Sequence, residues 1–204
     1  MKRALSFPYP RRMEAFLVSA GIVTLAEIGD KTQLLAFVLA ARYRRPLPII
    51  AGIFLATIAN HALAGLMGHW VVKAVGPEAL RYGLAASFLA MAVWILVPDR
   101  LDDDEALTPS RFGIVGTTII AFFLAEMGDK TQIATVALAA RYPSVLSVVT
   151  GTTVGMLLAN VPAVLIGDRL SGRLPIRLVH GIAAVIFAAL GILVLYTPAA
   201  ELAH

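Results

Sequence analysis

Apolar residues run in long, unalternating stretches at about 13–41, 47–72, 79–97, 112–140, 145–167 and 177–196. None shows the every-second-residue polarity of a half-buried strand, and each is of the length that carries a helix across a hydrocarbon core of about 30 Å. Short clusters of helix breakers separate them: Pro46 and Pro48, Gly76 with Pro77, Pro98 and the polar residues after it to Pro109, Pro143, and Gly172 to Pro175. The pattern predicts an all-α integral membrane protein of six transmembrane helices joined by short loops, with the lipid bilayer as its solvent.

The polar positions inside those stretches repeat. Residues 26–43 read AEIGDKTQLLAFVLAARY and residues 125–142 read AEMGDKTQIATVALAARY, a match at a constant offset of 99 that continues through Gly52 and Gly151. An internal duplication follows. It divides the chain into a first three-helix repeat (1–98), an acidic linker (99–110) holding Asp102, Asp103, Asp104 and Glu105, and a second three-helix repeat (111–204). Three spans per copy is an odd number, so the second copy is expected to enter the membrane inverted. Inverted repeats are an architecture of secondary transporters, whose sites lie near the midplane. The spacings Gly52-x-x-x-Ala56 and Gly151-x-x-x-Gly155 predict close helix packing.

Composition agrees with a lipid-embedded chain, since 59% of the 204 residues are apolar and only 15% are charged. The formal net charge of +4 is spread over loops and helix ends instead of forming a stripe interleaved with aromatics, so it reads as membrane-flanking charge and not as a nucleic-acid surface. The absence of cysteine removes disulfides, thiolate nucleophiles and sulfur-based metal sites. Lys2, Arg3, Arg11 and Arg12 ahead of an apolar run have the look of a signal peptide, yet cleavage would remove a helix that the duplication requires, so retention is expected. Charge does not orient the molecule. Seven basic residues fall on the amino-terminal side (Lys2, Arg3, Arg11, Arg12, Lys73, Arg81, Arg141) and eight on the other (Arg42, Arg44, Arg45, Arg100, Arg111, Arg169, Arg173, Arg177).

The chemistry is concentrated in the repeated Glu-x-Gly-Asp-Lys-Thr-Gln. Helical spacing would put Glu27 with Asp30, and Glu126 with Asp129, on one face of a helix, about midway along a span. A carboxylate at that depth costs roughly 2.5–3.5 kcal/mol on insertion scales, so four of them imply compensation or function. Compensation within a helix is one reading, because Glu27 with Lys31 and Glu126 with Lys130 have the favourable i, i+4 spacing. It leaves a remainder. Four carboxylates against two ammonium groups give a formal −2, which one divalent cation or two protons would neutralise, and this suggests cation/proton exchange at a shared site.

Thr32, Gln33, Thr131 and Gln132 bring neutral oxygens close by, and Asn60 and Asn160 hold comparable places in the second helix of each copy. An all-oxygen shell suits hard cations such as calcium, manganese or magnesium; helix-to-helix hydrogen bonding is the plainer role for the two asparagines. Gly29 and Gly128, just before the aspartates, are placed to loosen the helix and expose carbonyls, or simply to admit a close neighbour. His61, His69, His180 and His204 lie outside the motifs and do not repeat, so they read as structural or interfacial, and Met127 reads as a gap filler.

Glu-x-Gly-Asp-[Lys/Arg]-[Thr/Ser], present twice in a six-span chain, resembles the bacterial manganese exporters of the MneA type and the Golgi calcium/manganese transporters. Both copies match at every fixed position: Glu27, Gly29, Asp30, Lys31, Thr32 and Glu126, Gly128, Asp129, Lys130, Thr131. The resemblance implies a cation site built from the motif acids, coupling to protons or sodium, a cytoplasmic central linker, and no prosthetic group, the Mn2+ or Ca2+ being cargo. The compact chain is similar to bacterial inner-membrane members of that group. Two other functions fit parts of the pattern: export of a small cationic solute such as an amino acid, and intramembrane proteolysis by an aspartate pair. The second does not explain why a Glu and a Lys repeat in step with each Asp.

Overall fold

The structure, a computed structural model, describes residues 11–97, 113–166 and 176–199. The described residues form eight helices and no strand: α1 (Arg11–Glu27), α2 (Lys31–Tyr43), α3 (Pro46–Ala74), α4 (Pro77–Trp94), α5 (Gly113–Glu126), α6 (Lys130–Arg141), α7 (Val145–Ile166) and α8 (Ile176–Tyr196). Four of the six predicted spans are single helices close to their expected limits. The other two, 13–41 and 112–140, are each broken into a pair, α1 with α2 and α5 with α6. The acidic linker, the breakers at 98–109 and 172–175, and His204 lie outside the described residues.

Both breaks fall inside the repeated motif and have one cause. Gly29 and Gly128 take positive φ angles of 85° and 78°, a left-handed conformation that ends a helix and that glycine adopts without a Cβ clash. The following aspartate then starts the next helix. Asp30 and Asp129 are N-caps with extended backbone, and Asp30 Oδ1 accepts from the Lys31 amide at 2.8 Å. The expected placement of Glu27 with Asp30, and of Glu126 with Asp129, on one helix face is therefore corrected: each glutamate ends one helix and each aspartate opens another.

α3 and α7 are long and apolar enough to cross a membrane, and Gly113–Glu126 and His180–Tyr196 are shorter apolar helices. Large apolar side chains face outward all round the bundle, among them Leu17, Trp70, Val93, Leu146, Leu158 and Val185, each more than half exposed. Such a surface suits a protein integral to a membrane.

Packing interlocks the two copies. α1 packs chiefly on α7 and α5 on α3, so the first helix of each copy lies against the long helix of the other; α4 and α8 pack together. Glycine makes these crossings possible. A Cβ at Gly151 would stand 2.5 Å from the Phe16 carbonyl oxygen, and one at Gly155 2.5 Å from that of Ala20, while at the equivalent crossing a Cβ on Gly52 would stand 2.5 Å from Thr118 Cβ. The predicted small-residue contacts are thus real and occur once per copy. Two apolar cores result, one built by α1, α4, α6 and α8 around Phe88 and Phe187, the other by α2, α3, α5 and α7 around Phe122 and Ile53.

Candidate cation site at the two helix breaks

Each motif residue has a defined structural task. The N–H of Gly29 donates to Gln33 Oε1 at 2.9 Å, and that of Gly128 to Gln132 Oε1 at 2.8 Å, so the glutamine caps the backbone that the break leaves open. Thr32 Oγ1 donates to Glu27 Oε2 at 2.5 Å, and Thr131 Oγ1 to Glu126 Oε2 at 2.9 Å, fixing each glutamate from the helix that follows it. The same contacts form twice, which is why the whole heptapeptide repeats and not only its acids.

The glutamines also tie each break to the other copy. Gln33 Nε2 donates to the Ala159 carbonyl at 3.0 Å, and Gln132 Nε2 to Asn60 Oδ1 at 3.4 Å, while Asn60 Nδ2 donates to the Phe123 carbonyl at 3.1 Å. Asn60 and Asn160 are one position out of register with the 99-residue offset: Asn60 aligns with Ala159, and Asn160 with His61. Asn160 bonds within its own helix, Nδ2 donating to the Met156 carbonyl at 3.1 Å, and its Oδ1 accepts no hydrogen bond among the described residues.

The acids converge across the copies. Glu27, Asp30 and Asp129, all buried, each offer a carboxylate oxygen within 4.8 Å of the others. Glu126 is also fully buried and lies within electrostatic range of Glu27, Asp129 and Asp30. Glu27 Oε1 and Glu126 Oε1 accept no hydrogen bond among the described residues. A group of buried carboxylate oxygens, two of them with acceptor capacity unspent, is the donor set that hard divalent cations take.

Lys130 brings an ammonium to this cluster, its Nζ lying 3.3 Å from Asp30 Oδ1 with both side chains fully buried. For Lys130 this corrects the i, i+4 reading. The helix is interrupted between Glu126 and Lys130, and the close ion pair joins the second copy to the first. Lys31, the equivalent residue, is only half-buried, as is Ile28, whereas Met127 and Gly128 are exposed. Met127 is therefore no gap filler, since more than half of its surface is open. The two copies share a sequence and differ in pose.

Part of that difference lies in α8, where His180 Nε2 donates to the Ile28 carbonyl at 2.8 Å and so caps the end of α1. The repeat places Arg81 at the equivalent position, and Arg81 pairs instead with Glu78 at 2.8 Å. His180 read as structural in the sequence, and its contact with the break carries no local signal, because the two residues are 152 apart. His61 is buried with both ring nitrogens unbonded among the described residues, and His69 is half-buried.

A buried centre of carboxylates with an ammonium against it, assembled from two copies of one motif inside a bundle with an apolar exterior, is the layout of a membrane ion transporter. The family model described as "Divalent cation/proton antiporter GDT1" matches residues 15–103 and 114–201, and the chain belongs to that family. It is 52% identical to a Vibrio cholerae protein named "Putative manganese exporter", over 88% of this chain and 90% of that one. It is 30% identical to a GDT1-like protein of Synechocystis, over 86% of this chain and 93% of the relative. With GDT1-like protein 3 of Arabidopsis thaliana it shares 26% identity, over 87% of this chain and 69% of the plant protein. No solved structure matches the chain. The family's description is of cation/proton antiport, a transport activity.

Proposed function

We propose that this protein exports Mn2+, with Ca2+ as a second cargo, in exchange for protons. Glu27, Asp30, Asp129 and Glu126 would hold the cation, with Gln33, Gln132, Asn60 and Asn160 as neutral oxygens around them. The convergence of Glu27, Asp30 and Asp129 from both copies within 4.8 Å carries this reading. Lys31, Lys130, Thr32, Thr131, Gly29 and Gly128 shape the site. Gln33 and Gln132 already accept from a glycine amide through Oε1, so either would contribute to an ion through the second lone pair of that oxygen. The cation is substrate, and the same carboxylates exchange it for protons because they cannot all stay charged in a buried site once it leaves.

The architecture that goes with this function is six spans in two inverted repeats, 1–98 and 111–204, joined by the acidic linker 99–110, with the linker on the cytoplasmic side of a bacterial inner membrane. It is supported by the matched broken helices and by the crossed packing of α1 on α7 and α5 on α3. Broken helices that meet near the middle of a bundle place carbonyl ends and N-caps where an ion can reach them.

The test is flux in proteoliposomes carrying a proton gradient, with an internal pH dye. Wild type should move Mn2+ against protons, and Glu27→Gln or Glu126→Gln should reduce this to the protein-free rate while the variant remains monodisperse. Wild-type flux in both variants would sink the site. Flux of a cationic amino acid, blocked by Mn2+ competition only weakly, would replace the metal reading with solute export.

A further inference from the structure

Lys130 is a lysine on an intramembrane site, and its burial is complete. Its Nζ is 3.3 Å from Asp30 Oδ1, and Asp30 belongs to the trio with Glu27 and Asp129. The positive charge thus sits where the acids of both copies meet. It reaches there from the first residue of α6, directly after the N-cap Asp129, so the break in the helix is what turns the side chain inward. Lys31 begins α2 in the same way and follows the N-cap Asp30, yet it is half-buried. Lys130 is therefore the more deeply buried of two equivalent lysines, a difference that sequence alone does not predict.

A cluster of carboxylates with no positive charge near it would repel itself apart, or take up protons, inside an apolar bundle. An ammonium at ion-pair distance answers that need. A divalent cation placed among the same oxygens would meet it at short range, and two positive charges at such a separation repel strongly in a medium of low dielectric constant. Ammonium and ion would compete for the oxygens of Asp30.

We propose that the Lys130 ammonium is a tethered stand-in for the transported cation, holding the Asp30 carboxylate and its neighbours together when no divalent ion is bound and leaving when one enters. The proposal rests on the site assigned to Glu27, Asp30, Asp129 and Glu126. It makes Lys130 a positioning residue that sets affinity by competition, since every binding event must break the Lys130–Asp30 pair. Weak binding is useful to an exporter, which has to release its ion on the far side.

The experiment is Mn2+ binding to the full chain in detergent, read from the loss of the free-ion electron paramagnetic resonance signal. Lys130→Gln should bind Mn2+ at least ten-fold more tightly than wild type, and Lys130→Arg, which keeps the charge, should return the weak binding. A folded Lys130→Gln protein with an unchanged or raised Kd overturns the proposal, and Lys130→Met is measured in its place if the glutamine variant does not fold. The wild type offers a reading without a neutral variant: with 15N-lysine labelling, the Lys130 ammonium resonance, assigned through Lys130→Arg, should shift on saturation with diamagnetic Ca2+. A resonance that stays in place overturns the proposal. Glu27→Gln separates the two levels. If it binds Mn2+ as wild type does, the site itself is wrong; if it loses Mn2+ while Lys130→Gln binds unchanged, the site stands and the lysine has no such role.

Discussion

Gly29 and Gly128 turn the backbone into the left-handed region, and that turn separates each motif glutamate from the aspartate that follows it. A side chain with a Cβ in this conformation costs about 1–2 kcal/mol. A Cβ at Gly128 would meet no atom within 4 Å, so Gly128→Ala isolates the backbone cost. Its thermal midpoint in detergent should fall by a few degrees, given about 2–4 °C per kcal/mol for a chain of this size. No change would mean that the break is held by the side-chain bonds of Gln132 and Thr131 and not by glycine. The motif's residues were legible in the sequence as a group, and their pairing was not. Helical spacing joins Glu27 to Asp30 and Glu126 to Lys130, whereas the broken helix joins Thr32 to Glu27, Gln33 to Gly29 and Lys130 to Asp30. Periodicity presumes an unbroken helix, and the Gly-Asp pair is where that presumption fails.

Helices α1 and α7 cross without room for a methyl group at Gly155, where a Cβ would also stand 3.1 Å from the Thr24 amide nitrogen and from Val23 Cβ. Gly155→Ala must push the two helices apart, and overpacking of this kind costs about 1–3 kcal/mol. Gly21, in α1 itself, has no atom within 4 Å of the position a Cβ would take, and there alanine should stabilise by about 0.5–1 kcal/mol by lowering the entropy of the unfolded chain. Thermal unfolding of the pair should therefore give shifts of opposite sign; equal shifts would show that the α1–α7 crossing yields easily. Thr24 Oγ1 donates to the Gly155 carbonyl at 3.3 Å as well as to Ala20 in its own helix at 2.7 Å, a bond that needs the same close approach. The spacing of small residues announced these crossings, but not their partners. α7 packs most extensively on α1 of the other copy and far less on α6, the helix before it in its own copy.

The two copies also meet at a contact away from the acids, where the Tyr142 hydroxyl, at the end of α6, donates to Glu14 Oε1 near the start of α1 at 3.4 Å. Burial, and after it the Glu14 carboxylate, pushes the Tyr142 phenol up to about 12. The neutral form is the one favoured in the folded protein, so this contact contributes its full stability below the ordinary tyrosine value near 10, and the contribution is lost as pH rises from there through about 12. Ultraviolet titration of wild type minus Tyr142→Phe should show one phenol ionising near 12, moved toward 10 by Glu14→Gln; ionisation near 10 in the wild type would show that the two copies do not meet there. Across the molecule, the sequence by itself determined what repetition and hydropathy can encode: helices in place of strands, their approximate limits, the duplication, and the motif that holds the acids. Tertiary structure alone decided that Lys130 reaches Asp30 of the other copy, that His180 caps the first break, that Asn60 bridges Gln132 to α5, and that equivalent motif residues differ in exposure. The physical reason is that two near-identical motifs have near-identical local preferences, so any difference between them must come from contacts with residues distant in the chain.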